Sequence, residues 1–441
     1  MKYSFYIYHL GLLFFVIFAF LSFMIGYKEE IPTYKIFMHS FIAFAYWAVF
    51  YLISKLKDEK IIVCVIFIYS LLLSIALRYL FIDYTNDPYE NTVNCDVYKY
   101  EQYVLKNTGK TFLEAMCCLL KSGRLDLDDL GFTSILMVLH NFFRDVDFVR
   151  YLLLLLNSCL IACSAHLIFK LSIYLNFDEC ISKVVMAFYS LFPFWIVSNA
   201  VGLKENIFCF IIVAALFNIY RYKEYRLTYN LIGAIFFIIW AYFFRYAVSL
   251  MLIITFFFAL VVNEENKKKI LVIMAILGVV GIVCLNVIIM SFSGISMKLV
   301  TDVAADRMSR SGGTGFAGWL VHCSAAFIGP FPNFSRTGQY NIYFASGLIN
   351  KVVLSVFVNA AMVQVVRNLR WKFYPIFAYL FMGYVMLLAS GTSLDIRYHI
   401  TFFPAYSILL GFGLSYVQLN KIKLYGLCSF GLLIALFYNF R

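Results

Sequence analysis

The sequence predicts an all-α, polytopic membrane protein, on three observations. The 441 residues are 63% hydrophobic and only 14% charged, whereas soluble domains carry about 25% charged residues. Apolar runs of roughly 20 residues, the length that crosses a bilayer core as a helix, recur from end to end. The short connectors between these runs alternate between strongly basic and nearly free of basic residues. This composition excludes a water-soluble fold, and residues 1–441 read as a single membrane-embedded domain. The net charge of +12 does not point to nucleic acid, because the basic residues are scattered beside apolar runs and form no contiguous basic domain. Of the eleven cysteines, Cys95, Cys117, Cys118 and Cys323 lie outside the apolar runs, and no pair of these has zinc-ligand spacing.

Taken in order, the apolar runs lie near 5–27, 35–54, 61–82, 147–169, 181–200, 204–220, 227–243, 247–262, 270–292, 341–365, 373–390, 400–418 and 424–440, about thirteen spans. The first reads as a span. It is too long for the apolar core of a signal peptide and lacks a small-residue cleavage site. Six alternate connectors hold sixteen Lys or Arg residues. They carry Lys55, Lys57 and Lys60; Lys170 and Lys183; Arg221, Lys223 and Arg226; Lys267, Lys268 and Lys269; Arg367, Arg370 and Lys372; and Lys421 with Lys423. The four short connectors between them hold five, Lys28, Lys35, Lys204, Arg245 and Arg397. The positive-inside rule then places the N-terminus in the cytoplasm and the C-terminus outside. In a bacterial cell this is the inner (cytoplasmic) membrane, with the charge-poor connectors on the periplasmic or extracellular side.

Two long loops, near 83–146 and 293–340, fall on the outer side. In the first, Thr111–Lys121 and Asp129–Phe143 repeat apolar residues at helical spacing and predict amphipathic surface helices. In the second, a Gly-rich turn, Ser311–Gly315, precedes an apolar run, Trp319–Phe327, stopped by Pro330 and Pro332. A run too short to span, ended by prolines, predicts a re-entrant or interfacial hairpin.

Charged residues near membrane depth are costly and mark function. The outward ones are Asp83, Asp87, Glu90 and Asp96 after the third span, and Lys204 and Glu205 after the fifth. Arg245 sits in the tight turn between spans seven and eight. The late loop supplies Asp302, Asp306, Arg307, Arg310 and Arg336, and a final turn supplies Asp395, Arg397 and His399. Arg78 and Lys351 lie within apolar runs near their outer ends, where either side chain can face a polar cavity. Carboxylates facing cations on one membrane face suit group transfer from a lipid phosphate. A carboxylate takes the proton of an acceptor hydroxyl as general base, and guanidinium or ammonium groups hold the phosphate as it leaves. Several of the acids would also suit a divalent cation such as Mg2+ or Mn2+, but no spacing specifies one.

The order of these features resembles a known superfamily. Asp96-Val-Tyr-Lys-Tyr100 is followed by an amphipathic loop and a span containing Tyr151-Leu-Leu-Leu-Leu-Leu-Asn157. A Pro193-containing span then leads to Gly202-Leu-Lys-Glu205, and Arg397-Tyr-His-Ile-Thr-Phe-Phe-Pro404 precedes a Gly-containing helix. This order is similar to that of the GT-C membrane glycosyltransferases, including bacterial relatives of the protein mannosyltransferases. It also resembles the repeat-unit polymerases of O-antigen and capsule polysaccharide biosynthesis. The resemblance implies a transferase that takes a sugar or glycan from a polyprenyl phosphate or pyrophosphate, with inversion at the anomeric carbon. It implies Asp83 or Asp96 as the acceptor-side base and Lys204, Arg245 or Arg397 as donor-phosphate ligands. Outward position adds Asp87 to the candidate bases and Glu205, Arg307, Arg310, Arg336 and His399 to the candidate phosphate-site residues. The partners that the resemblance implies are polyprenyl-linked glycans, the bilayer and other polysaccharide-assembly proteins. Two departures stand out: two extra spans precede the first acid, and the adjacent acidic pair usual in the first loop has one counterpart, Asp128-Asp129. Transport of lipid-linked glycans is the rival function, disfavoured by the gathering of charge on one side.

Overall fold

All regular structure in the described residues is helical. The computed structural model describes residues 32–85, 96–110, 112–121, 129–283, 304–309, 315–332 and 341–416, with residue 302 and a few positions between 426 and 438. The first expected span, most of the last, Asp87, Glu90, Arg310, Arg336 and most of the Ser311–Gly315 turn lie outside the described residues.

Among the described residues, seven helices are long and apolar enough to cross a membrane: Thr33–Lys55, Glu59–Ile82, Val146–Tyr174, Glu179–Val201, Glu205–Tyr225, Gly347–Arg367 and Trp371–Ser390. They make this a multi-pass bundle. In chain order the helices are α1 (Thr33–Lys55), α2 (Glu59–Thr85), α3 (Asp96–Leu105), α4 (Phe112–Lys121), α5 (Leu130–Phe142) and α6 (Val146–Tyr174). Then come α7 (Glu179–Ser190), α8 (Pro193–Val201), α9 (Glu205–Tyr225), α10 (Thr228–Tyr242), α11 (Tyr246–Val261) and α12 (Lys267–Val283). The last are α13 (Gly315–Phe327), α14 (Asn341–Arg367), α15 (Tyr374–Ser390), the single turn α16 (Ile396–His399) and α17 (Phe403–Tyr416). The two amphipathic stretches of the first long loop form α4 and α5, and the short apolar run of the late loop forms α13.

Three local features refine the sequence reading. The run at 181–200 is two helices, because Pro193 has no N–H to continue the ladder and instead starts α8. Trp195 bridges the break by donating its indole N–H to the Tyr189 carbonyl at 2.6 Å. α6 begins earlier than its apolar run because the Asp145 carboxylate caps it, accepting from the backbone N–H groups of Asp147 and Phe148. The runs at 227–243 and 247–262 form helices of only 15 and 16 residues, below the ~20 that span a bilayer. A turn at 243–245 joins them.

The core is aromatic where α7, α8 and α17 meet. Phe403 lies within 4.6 to 6.4 Å, ring to ring, of Phe188, Tyr189, Phe192, Trp195 and Tyr406. α14 and α17 approach closely at Gly413, where an added Cβ would strike the Phe357 carbonyl oxygen, the small-residue device of membrane helix pairs.

Polar side chains gather at the two ends of the bundle. At one, Lys170 pairs with Glu59 at 2.7 Å, Lys223 donates to the Val262 carbonyl at 2.9 Å, and Tyr220 donates to the Lys372 carbonyl at 2.9 Å. At the other, acids and bases interleave, and there α3, α5 and the turns before α9, α11 and α16 converge.

Candidate functional site

Asp96 opens α3, where a carboxylate suits the positive end of the helix dipole. Tyr100, one turn on, shares its face. The Tyr100 hydroxyl donates to the Asp129 carboxylate, which precedes α5. α5 is held there by backbone: the Gly131 N–H donates to the Phe243 carbonyl at 2.8 Å. Only glycine permits this, because an added Cβ would overlap the Phe244 ring.

Lys204 and Glu205 arrive by a different device. α8 ends at Gly202, whose φ of 84° is left-handed and natural to glycine. The backbone turns there, and Lys204 donates to Asp129 at 2.5 Å and to the Tyr100 hydroxyl at 3.2 Å. Burial comes first in pushing the Tyr100 hydroxyl well above its ordinary value, followed by Asp129 and, from further off, Asp96 and Glu205. It therefore stays protonated and serves as a donor.

Arg245 occupies the turn before α11. Its guanidinium lies 4.6 Å from the Tyr398 ring centre and 5.9 Å from that of Phe208, which stacks on Phe244 at 5.5 Å. Its Nη2 stands 3.8 Å from Glu205 Oε1. Tyr398 follows Arg397, whose backbone N–H and guanidinium both reach Asp395, at 2.9 and 3.1 Å. Arg397 Nη1 then meets Asp96 at 3.5 Å, across 301 residues of sequence. With the chain neighbours Arg397–Tyr398 and Lys204–Glu205 as links, these contacts connect Asp96, Arg397, Tyr398, Arg245, Glu205, Lys204, Asp129 and Tyr100.

Six of the residues singled out in the sequence thus come together: Asp96, Lys204, Glu205, Arg245, Asp395 and Arg397. Arg307 lies apart, its Nη1 donating to the Ser390 carbonyl at 3.4 Å. His399 points inward and is buried. Its Nε2 donates to the Ser393 carbonyl at 2.7 Å, and its Nδ1 lies 3.5 Å from Lys351 Nζ. Burial, then the Lys351 ammonium, hold its pKa well below the usual histidine value, so the ring is neutral. Asp83 ends within the last turn of α2, but its side chain is outside what is described. Arg78 is buried, donates to the Ala200 carbonyl at 2.9 Å, and borders a cavity also lined by Glu101 and Arg150.

Tyr100 and Asp129 were not among the expected site residues. The acidic doublet Asp128-Asp129 and the tyrosine four residues after Asp96 were their only traces. Among the described residues, no three His, Cys, Asp or Glu side chains converge as a metal site. Asp96, Asp129, Glu205 and Asp395 each face a cation instead.

Compared with known proteins, the chain matches no family model, no curated protein and no solved structure.

Proposed function

We propose that this protein is a membrane glycosyltransferase that consumes a polyprenyl-phosphate- or pyrophosphate-linked sugar or glycan at the mixed-charge end of the bundle. The observation that carries the reading is the convergence of three acids and three bases, Asp96, Asp129, Glu205, Lys204, Arg245 and Arg397, from separate chain segments onto one end. The fuller topology of about thirteen spans, with a GT-C-like arrangement and this end facing outward, belongs to the same proposal. So does a role in cell-surface polysaccharide assembly at a bacterial inner membrane.

In this reaction an acceptor oxygen forms a bond to the anomeric carbon as the bond from that carbon to the phosphate oxygen breaks. The acceptor's proton passes to a carboxylate, and the electron pair leaves with the phosphate. Asp96 suits the base, since its side chain is 51% exposed and held only loosely by Arg397. Asp129 is committed to Lys204 and Tyr100 and suits a positioning role. Arg397, 34% exposed between two carboxylates, can turn toward a phosphate and stabilise its developing charge.

Purified protein in lipid, given radiolabelled polyprenyl-linked glycan, tests this. Asp96→Asn and Arg397→Ala are each expected to lower turnover by about 100-fold or more. Wild-type rates in both variants would sink the proposed site.

A second reading is a dedicated repeat-unit polymerase. It is favoured by Arg307, a late-loop arginine seated on the Ser390 carbonyl, just before the turn that carries Asp395 and Arg397. Glycan length in a deletion strain separates the two: single capped units indicate a polymerase, and a truncated unit a transferase that adds one sugar. A transporter or flippase would need charge along a path open to both faces.

A further inference from the structure

Glu205 and Arg245 form an unusual pair. Glu205 is 3% exposed and Arg245 has only 18% of its side chain exposed. They stand 3.8 Å apart, too far for a hydrogen bond. Among the described residues neither side chain donates or accepts one, and Glu205 Oε2 and Arg245 Nη1 are both buried without a partner. The neighbouring Asn206 adds a third such atom, its Oδ1, while its amide N–H donates to the Trp195 carbonyl. A buried charge left without hydrogen bonds is costly, and the fold has the means to close such a gap, as Glu101 and Arg150 show at 2.7 and 2.9 Å.

We propose that the Glu205–Arg245 pair is held open as a clamp for the hydroxyl groups of a saccharide. The clamp rests on the transferase reading for its place in the reaction, but its ligand chemistry follows from its own atoms. It holds one guanidinium nitrogen, Nη1, and one carboxylate oxygen, Oε2, that are buried and that no protein group engages. A hydroxyl pair completes both, one oxygen accepting from Nη1 and one O–H donating to Oε2. A phosphate fits poorly, because the Glu205 carboxylate repels its oxygens and would itself remain unpaired. Rigid supports hold the gap. Arg245 lies against the Tyr398 and Phe208 rings, and Glu205 is fixed at the first turn of a 21-residue helix. The sequence reading placed Glu205 among the phosphate ligands; the clamp gives it the opposite partner, a neutral polyol.

The test is saturation-transfer NMR on full-length protein in lipid nanodiscs. The probes are methyl glycosides of glucose, galactose, mannose and N-acetylglucosamine, with polyprenyl monophosphate titrated separately. At least one glycoside should bind the wild type. Glu205→Gln and Arg245→Lys, both near in shape, should each weaken that glycoside 10-fold or more, while Glu205→Gln leaves polyprenyl phosphate binding equal or tighter. Equal glycoside binding in wild type and both variants, or no binding of any glycoside, would overturn the clamp. Loss of phosphate binding in Glu205→Gln would overturn it as well. Should Arg245→Lys fail to fold, Glu205→Gln alone decides. Glycoside binding without transfer from a lipid-linked donor would leave the clamp standing and remove the transferase reading.

Discussion

Two Glu–Arg pairs sit at the same end of this bundle. Glu101 and Arg150 meet in a two-pronged contact at 2.7 and 2.9 Å, and Arg150 also reaches Asp147 at 3.0 Å. Glu205 and Arg245 stand 3.8 Å apart, with polar atoms buried and unmatched. The residue types and burial are alike, so the difference lies in what each pair is built to do. The first joins α3 to α6 and uses the fork geometry in which guanidinium and carboxylate are strongest. The second joins the first residue of α9 to the turn before α11 and leaves that geometry unmade. A closed pair holds helices together; an open one keeps its hydrogen bonds for something else.

The largest expected effect comes from breaking the closed pair. Arg150→Ala leaves the buried Glu101 carboxylate without its main partner and should cost about 3 kcal/mol, read as a lowered midpoint in thermal unfolding in detergent. Next is the backbone contact that sets α5 against the open pair's turn. Gly131→Ala drives a methyl group into Phe244 and should cost about 1–3 kcal/mol, with loss of turnover because Asp129 and Lys204 are displaced together. Tyr100→Phe removes one donor to Asp129 while Lys204 keeps its own contact, a loss of about 1 kcal/mol in the same assay. The smallest effect is a pH dependence at the inner edge of the site. Since the folded state holds the His399 pKa below its unfolded value, the unfolded chain binds the proton more readily. Stability is then full above the unfolded pKa of about 6.5 and falls as pH drops below it. His399→Gln should flatten that acid limb in unfolding midpoints measured between pH 5 and 8, values on the order of the histidine range.

Much of this was legible in the sequence. Span length and charge-poor connectors marked the long helices and the turns between them, and Lys204, Glu205, Arg245 and Arg397 stood out there because any charge is conspicuous against an apolar background. Asp96 was visible for the same reason. Asp129 and Tyr100 were not, because their importance is relational. One residue in an amphipathic stretch and one tyrosine among 33 become a site only when Gly131 docks α5 on the 243–245 turn. The break at Pro193 was also hidden inside an apolar run, although proline chemistry explains it. The inward turn of His399 could not be read from spacing, since Arg397 two residues earlier faces the opposite way. Nor could the spacing of either Glu–Arg pair: 49 residues separate the closed one, and side-chain geometry alone distinguishes it from the open one.

The contrast between the pairs is tested most directly by making the same small change in both. Glu101→Gln and Glu205→Gln are compared in one experiment that reads unfolding midpoint and turnover of lipid-linked glycan per folded molecule. Glu101→Gln is expected to lower the midpoint and leave turnover per folded molecule near wild type. Glu205→Gln loses no hydrogen bond and should keep its midpoint within about 1 kcal/mol of wild type, while its turnover falls 10-fold or more. Equal loss of stability in both, with turnover tracking only the folded fraction, would contradict the account.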